Sequence, residues 1–133
     1  DEPDSTWSQK YNLVWDKVLD LNIFPDSIRK KEIEFYKTKQ NIYGVPLDGR
    51  DNFAKVDWLS WTAVMADDKE TFRSFIVPLH SFMNETTDRV PMADLINTDK
   101  STHRGFIGRP TVGALYMRLF EEKLKKNREE NNH

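Results

Sequence analysis

The chain has 133 residues, with 20 Lys and Arg against 22 Asp and Glu. This is the length of a single domain that buries its own core, so we expect one domain over residues 1–133. The formal charge of -2 gives no electrostatic attraction to nucleic acid or to an anionic membrane surface, and no apolar run approaches the length of a membrane span. We therefore expect neither nucleic acid nor a membrane as a partner.

The apolar spacing predicts an all-α fold of five helices, with no convincing alternating strand. The first helix is predicted to begin at the N-cap Thr6, with Gln9 completing a capping box, and to end near Leu21. The second helix follows Pro25, a residue that is favoured in a first helical turn, and runs to about Gln40.

The third and fourth helices are predicted from different signals. The third starts at residue 52 or 53 and runs to Ala66, with apolar side chains nearly all the way round, which is typical of a helix buried on more than one side. Asp67 and Glu70 form a cap signature that opens the fourth helix, and Pro78 inside that helix predicts a kink.

The fifth helix is predicted to open at Pro110 and to stay mostly apolar as far as Phe120. It then passes into residues 121–133, a charged helical end that we expect to be solvated and to fray.

The connections between these helices differ in length. Short links join the first helix to the second and the third to the fourth, and short links make antiparallel neighbours. If every helix reverses direction, the two long links both lead to the N-terminal ends of the odd-numbered helices, at one end of the molecule. This pattern predicts stacked antiparallel helical hairpins, as in part of an α/α toroid, with the third and fifth helices in the inner layer.

Four stretches of the chain carry a family resemblance: WSQKYNLVWDKVLDLNIFP, YGVPLDGRDNFAKVDWLSWTAVMADD, FMNETTDRVPMADLINTDK and GFIGRPTVGALYMRLF. In their order and residue types they resemble the C-terminal part of the six-helical-hairpin domain of the fungal and bacterial glutaminase A family. The resemblance extends from about Trp7 to Phe120. It implies a six-hairpin toroid in the intact protein, hydrolysis of the side-chain amide of glutamine to glutamate and ammonia, and a secreted or periplasmic location. Five helices cannot close a ring of six hairpins, so we expect a C-terminal portion of a larger hydrolase domain.

Asp57 is the candidate catalytic residue. It lies in the first turns of the third helix, where the helix dipole favours an anion, but its neighbours Val56, Trp58 and Leu59 are apolar. An inward-facing carboxylate at such a position needs a partner or a raised pKa, and a raised pKa is typical of a general acid or base. The structural alternative is an aspartate that stabilises the helix dipole and pairs with Lys55 or an arginine.

Six residues are candidates for binding substrate: Asp48, Arg50, Arg89, Asp94, Arg109 and Trp58. Asp48 and Arg50 flank Gly49 in a predicted turn, where the arginine can hold a carboxylate and the aspartate an ammonium group. The chemistry of an Asp-Gly turn explains the same residues without a ligand. Trp58 can wall a pocket or stack on a sugar, although aromatic side chains at helical spacing are more often core.

The remaining candidates belong to the second long loop. Arg109 directly precedes Pro110, where a cation opposes the helix dipole, and this indicates another role for it. Arg89 and Asp94 either contact substrate or form a salt bridge that fixes the loop.

Three functions are left open by the sequence. The chain is a portion of a glutaminase A-like amidohydrolase, a portion of a six-hairpin glycoside hydrolase acting on carbohydrate, or a non-catalytic helical module that completes a pocket together with the remainder of its parent chain. His80 and His103 lack metal-ligand spacing, so we expect no metal and no cofactor. The isolated chain is expected to be inactive, because five helices leave one side of the inner layer without neighbours and expose apolar surface that favours association.

Overall fold

The computed structural model describes residues 6–105, 108 and 111–131. Over these residues the chain forms five α-helices, a 3₁₀ helix and three short strands. In chain order they are α1 (Leu13–Leu19), α2 (Asp26–Thr38), β1 (Phe53–Lys55), α3 (Val56–Val64), α4 (Lys69–Glu85), β2 (Leu95–Asn97), β3 (His103–Arg104), the 3₁₀ helix (Val112–Tyr116) and α5 (Met117–Asn131). The five predicted helices are confirmed, and the small sheet corrects the all-α prediction.

The three strands form an antiparallel sheet in the order β1-β2-β3. Phe53 pairs with Asn97 across β1 and β2, and Ile96 pairs with His103 across β2 and β3. Strands of two or three residues are too short to show an apolar alternation, so they could not be predicted from the pattern of apolar residues.

This sheet joins the two long loops. β1 ends the loop between α2 and α3, whereas β2 and β3 lie in the loop between α4 and α5. Two backbone hydrogen bonds of 2.9 Å extend the contact, from Tyr43 N–H to the Thr98 carbonyl and from Thr98 N–H to the Asn52 carbonyl. The prediction that both long loops meet at one end of the molecule is therefore confirmed.

The first helix begins at Leu13, later than the predicted start at Thr6. The chain before Leu13 is not helical, and Ser8 forms a β-bridge with Asp48. Gln9 is buried, where its side-chain amide donates to the carbonyls of Val45 and Pro46 at 3.0 and 2.9 Å. The capping box of Thr6 and Gln9 is wrong because the glutamine satisfies buried carbonyls of a loop that is distant in the chain.

Two other helix starts shift for local reasons. α3 begins at Val56, later than predicted, because the preceding residues pair in β1. The N-cap of α4 is Asp68, whose carboxylate accepts from the Thr71 N–H at 2.8 Å. Asp67, the predicted cap, instead accepts a hydrogen bond of 2.6 Å from the guanidinium of Arg29.

The fifth helical segment also begins later than predicted. It opens as the 3₁₀ helix and becomes α-helical at Met117, while Pro110 lies outside the described residues. The charged end is helical as far as Asn131, but its first residue, Glu121, is fully buried. The prediction of a solvated end is therefore wrong at its start.

Glu121 is buried because a lysine from α1 reaches it. The Lys17 ammonium lies 3.3 Å from the Glu121 carboxylate and also donates to the carbonyls of Val64 and Ala66 at the C-terminal end of α3. This lysine thereby satisfies carbonyls that a helix end leaves unpaired and holds α5 against the rest of the domain.

α3 occupies the centre of the molecule. It packs against α1, α4, β1, α5 and the 3₁₀ helix, and its residues Leu59 and Ala63 are fully buried. The prediction that this helix is buried on more than one side is confirmed. Its N-terminal end faces the sheet and the 3₁₀ helix, which is where the candidate site lies.

The 3₁₀ helix and the start of α5 form the segment that was predicted to be apolar and to lie in the inner layer, yet one face of this segment is exposed. We call this the α5 face; its exposed side chains are Val112, Leu115, Tyr116, Leu119 and Phe120. Several exposed apolar side chains in one short segment are typical of a region that packs against another protein segment.

Candidate functional site

A cleft of about 350 Å³ lies where the N-terminal part of α3 approaches the 3₁₀ helix. We call it the Asp57 cleft. The lining side chains that matter below come from α1, α3, the segment before the 3₁₀ helix, and α5; they are Trp15, Asp57, Trp61, Thr111 and Met117. The two long loops that meet through the sheet both lead to this cleft.

Asp57 is half-buried in the first turn of α3. One of its carboxylate oxygens accepts a hydrogen bond of 2.9 Å from the N–H of Trp58. Burial raises the pKa of the Asp57 carboxyl above its ordinary value; the positive charge of Lys55 and the Trp58 N–H oppose this rise, and the negative charge of Asp94 adds to it. The direction agrees with the sequence expectation of an acid with a raised pKa.

Lys55 pairs with Asp94 rather than with Asp57. Its ammonium lies 3.5 Å from the Asp94 carboxylate, which is buried, and 5.6 Å from the ring centroid of Trp58. No ion pair between Arg89 and Asp94 forms among the described residues, so the predicted salt bridge within the second loop is wrong. Asp94 pairs instead with Lys55, the last residue of β1, because β1 and β2 are adjacent strands.

Trp58 and Trp61 have different surroundings. Tyr11 stacks on both rings, with centroids 4.0 Å from Trp58 and 5.4 Å from Trp61. Trp58 is thus packed between Tyr11 and Lys55 and is not among the residues that line the Asp57 cleft. The structure therefore favours the packing alternative for Trp58, whereas Trp61 lines the wall of the cleft.

Two buried polar atoms of the cleft residues have no hydrogen-bond partner within the described chain. They are the indole nitrogen of Trp61 and the hydroxyl oxygen of Thr111. A buried polar group without a partner costs about 1–3 kcal/mol, so such groups need an explanation in a native fold. Both belong to residues that line the same cleft as Asp57.

Asp48 and Arg50 bind each other. The Asp48 carboxylate accepts from the Arg50 backbone N–H at 2.9 Å and from the guanidinium at 2.9 and 2.5 Å. These hydrogen bonds hold the pKa of Asp48 below its ordinary value, whereas burial opposes them. The two residues line an open cleft beside Trp7 and Gly49, apart from Asp57. The structure therefore favours the turn alternative and does not place them with Asp57.

Arg89 and Asp94 do not line the Asp57 cleft either. Arg89 lines a third cavity, bordered by α4 and the sheet, and shares no cleft with Asp57. Asp94 forms an ion pair with Lys55, and its negative charge contributes to the raised pKa of Asp57. Arg109 lies outside the described residues, so its predicted role stays a prediction.

Sequence reasoning missed three residues of the cleft. None of Trp15, Trp61 and Thr111 is among the candidates predicted above, and the spacing of Trp61 from Trp58 along the helix is more typical of core packing. Thr111 follows the GFIGRP stretch, which the loop argument already placed at the correct end. Its position next to this stretch is the signal that could have identified Thr111 as a site residue.

The described residues contain no group of three or more His, Cys, Asp or Glu side chains arranged to hold a metal ion. In the same part of the chain, no helix is both long and apolar enough to cross a membrane.

Fold and site together define a helical domain with an acidic cleft at the N-terminal end of its central helix. Comparison with known families adds a specific match: the family described as "Glutaminase A six helical-hairpin domain" matches residues 1–119. The chain belongs to this family. The resemblance inferred from the sequence motifs is thereby confirmed.

Two curated relatives agree with this assignment. Glutaminase A of Aspergillus oryzae (strain ATCC 42149 / RIB 40) is 36% identical over 113 residues, which cover 82% of this chain and 16% of that protein. A probable glutaminase of Arthroderma benhamiae (strain ATCC MYA-4681 / CBS 112371) is 31% identical over 103 residues, which cover 74% of this chain and 12% of that protein. The chain thus spans less than a fifth of the length of either relative. No solved structure matches it.

Proposed function

We propose that this chain is a portion of a glutaminase A-like amidohydrolase, which converts L-glutamine to L-glutamate and ammonia. Its family membership and the names of its two relatives support this proposal. Because the chain spans a small share of those relatives, the activity is proposed for the intact parent protein. A secreted or periplasmic location is part of the same proposal and rests on the family resemblance.

The observation that carries the proposal is the chemistry of the Asp57 cleft. It combines a carboxyl group of raised pKa with an indole N–H and a hydroxyl that lack partners among the described residues. A primary amide offers a carbonyl acceptor and an amide donor, which are complementary to these groups. A ligand that supplies the missing hydrogen bonds recovers the cost of leaving them unmade.

In the proposed reaction Asp57 acts on a water molecule and then on the leaving group. As a base, its carboxylate accepts a proton from water while the oxygen attacks the amide carbon of glutamine. As an acid, it returns the proton to the amide nitrogen, the carbon–nitrogen bond breaks, and ammonia and glutamate are released. A raised pKa suits both steps because the group then exchanges its proton closer to neutral pH.

The developing negative charge on the amide oxygen needs a hydrogen-bond donor. Trp61 is our candidate, because its N–H has no acceptor within the described chain and its ring lines the cleft. Loss of one such donor typically lowers kcat by about 100-fold to 1000-fold.

The test is to replace Asp57 by Asn in the intact parent protein and to measure ammonia release from glutamine. We expect the rate to fall by orders of magnitude, because an amide cannot exchange the proton. Asp99→Asn is the matched control, since Asp99 is exposed in the second long loop and lines none of the clefts described above. Full activity in a folded Asp57→Asn protein would remove Asp57 from the mechanism.

The glycoside hydrolase alternative has less support. Glycoside hydrolysis commonly uses two carboxyl groups that flank the sugar. Among the described residues that line the Asp57 cleft, Asp57 is the only acidic one. Asp94, the neighbouring carboxylate, is buried and paired with Lys55. The cleft therefore favours an amide over a sugar as substrate.

We further propose that the remaining helices of the parent cover the α5 face, as stacking in a six-hairpin toroid requires. The exposed apolar side chains of the 3₁₀ helix and α5 support this arrangement. The isolated chain is then expected to self-associate in size-exclusion chromatography with light scattering, and Leu119→Lys to reduce the association. A monomeric isolated chain would contradict this proposal without bearing on Asp57.

A further inference from the structure

The cavity that Arg89 lines is separate from the Asp57 cleft. It is bordered by the C-terminal half of α4, the sheet and the start of the second long loop, and its volume is about 340 Å³. We call it the α4 cavity. Its floor is formed by apolar side chains that are at most 2% exposed: Val56, Leu79, Phe82 and Ile96. Small-molecule sites in proteins have this character, with an apolar interior of roughly 300–1,000 Å³.

The rim of the α4 cavity carries an aspartate that is already engaged. The Asp88 carboxylate accepts from the His103 backbone N–H at 2.6 Å and lies 3.3 Å from the Nδ1 of the same histidine. The imidazole packs edge-on against Phe82, with ring centroids 5.1 Å apart. Asp88 therefore fixes His103 as part of the wall of the α4 cavity.

Arg89 differs from Asp88 in having no such partner. Its side chain is exposed at the cavity and forms no ion pair with any described residue. A guanidinium presents a planar pair of N–H groups that matches a carboxylate in a bidentate arrangement. Met83 and Met92 also line the cavity, and flexible methionine side chains adapt to the shape of an apolar ligand.

We propose that the α4 cavity binds a small amphipathic carboxylate, such as a medium-length alkyl acid, whose apolar body fills the cavity and whose carboxylate is held by Arg89. The site is separate from the Asp57 cleft, with which it shares no lining residue. The apolar floor favours an alkyl body over the polar side chains of glutamine and glutamate. The inference thus goes beyond the proposed glutaminase activity.

The four methionines of the chain allow a direct test by NMR of ¹³C-methyl-labelled protein titrated with octanoate. Met83 and Met92 line the α4 cavity, Met117 lines the Asp57 cleft, and Met65 is fully buried in the core. We expect saturable shifts of the Met83 and Met92 methyl signals and none at Met65 or Met117. Shifts confined to Met117, or no shift at millimolar octanoate, would overturn the proposal.

Variants separate the charge from the apolar cavity. Arg89→Gln is expected to weaken octanoate binding by at least about tenfold, because it removes a charge-assisted hydrogen bond, and to leave binding of the neutral analogue 1-octanol unchanged. Arg73→Gln is the matched control: Arg73 is an exposed arginine of α4 that does not line the cavity. Equal affinities for octanoate and octanol in the unmodified chain, or equal effects of the two arginine variants, would contradict the role of Arg89.

A third variant tests the cavity itself. Val90→Phe adds a ring to the wall and is expected to abolish binding of both ligands by filling the space. The methyl spectrum of the ligand-free variant shows whether it has folded. Unchanged octanoate binding in a folded Val90→Phe protein would mean that octanoate binds elsewhere and that the inference is wrong.

Discussion

Asp48 and Asp57 belong to one stretch of the chain, YGVPLDGRDNFAKVDW, and they have opposite electrostatic properties. Asp48 is the more buried of the two, yet three hydrogen bonds from Arg50 lower its pKa. Asp57 is only half-buried, has one hydrogen bond from the Trp58 N–H, and has a raised pKa. The hydrogen bonds from Arg50 therefore outweigh burial at Asp48, whereas burial outweighs the opposing effects of Lys55 and the Trp58 N–H at Asp57.

Glu121 extends this comparison to a fully buried carboxylate. Three cations surround it: Lys17 at 3.3 Å, Arg118 at 3.0 Å and Lys125 at 2.8 Å. We expect Glu121→Ala to destabilise the chain by about 3–5 kcal/mol. The substitution leaves the buried ammonium of Lys17 without the carboxylate with which it pairs. Urea unfolding measures this free energy, with Glu122→Ala as the exposed neighbouring control. Equal losses in the two variants would show that burial of the ion pair is not what matters.

Asp57→Asn is expected to raise the free energy of unfolding at neutral pH by about 0.5–2 kcal/mol while it removes the proposed activity. The sign follows from the raised pKa: the contribution of Asp57 to stability is fully present below the pKa of an unfolded aspartate and is lost as the pH rises through the higher folded pKa. The amide carries no charge, so it avoids that loss. A destabilised Asp57→Asn protein at pH 7 would mean that the carboxylate has a structural partner after all.

Asp48→Asn is expected to act in the opposite direction, with a loss of about 1 kcal/mol at neutral pH. Its lowered pKa means that the stabilising contribution is present above the pKa of an unfolded aspartate and is lost as the pH falls through the lower folded pKa. The variant should therefore lose less stability than the unmodified chain when acidified. Thermal unfolding between pH 7 and pH 2 checks this, and identical acid profiles for the two proteins would refute it.

Lys55→Met is expected to produce the smallest effect, an upward shift of the acidic limb of the pH–rate profile of the intact parent. Lys55 opposes the rise of the Asp57 pKa, so its removal lets that pKa rise further. The matched control is Lys100→Met, since Lys100 is an exposed lysine of the second long loop. An unchanged limb would show that Asp57 is not the group that controls the acidic side of the profile.

Much of the helical framework could be predicted from the sequence, because each helix carries its own periodic apolar pattern. α2 begins directly after Pro25, as predicted, and ends at Thr38, close to the predicted end at about Gln40. Asp57 could be identified as a candidate because its apolar neighbours are adjacent in the chain. Such signals are local, so they survive without knowledge of the tertiary structure.

The errors arise where a distant segment supplies the partner. Gln9 satisfies carbonyls of Val45 and Pro46 instead of capping a helix, and Lys55 takes Asp94 through the pairing of two short strands. Neither contact leaves a pattern near the residues involved. The assignment of Trp61 to the cleft and of Trp58 to packing also depends on Tyr11, which belongs to another segment.

The sheet that joins the two long loops also has a consequence for the order of folding. β1 and β2 are separated by the whole of α3 and α4, so the chain must close a long loop before Phe53 can meet Asn97. Closing that loop costs conformational entropy that contacts within a helix do not require. Helices can form early, whereas the Asp57 cleft is complete only after this late closure. During refolding, helical content should therefore return before the cleft is assembled.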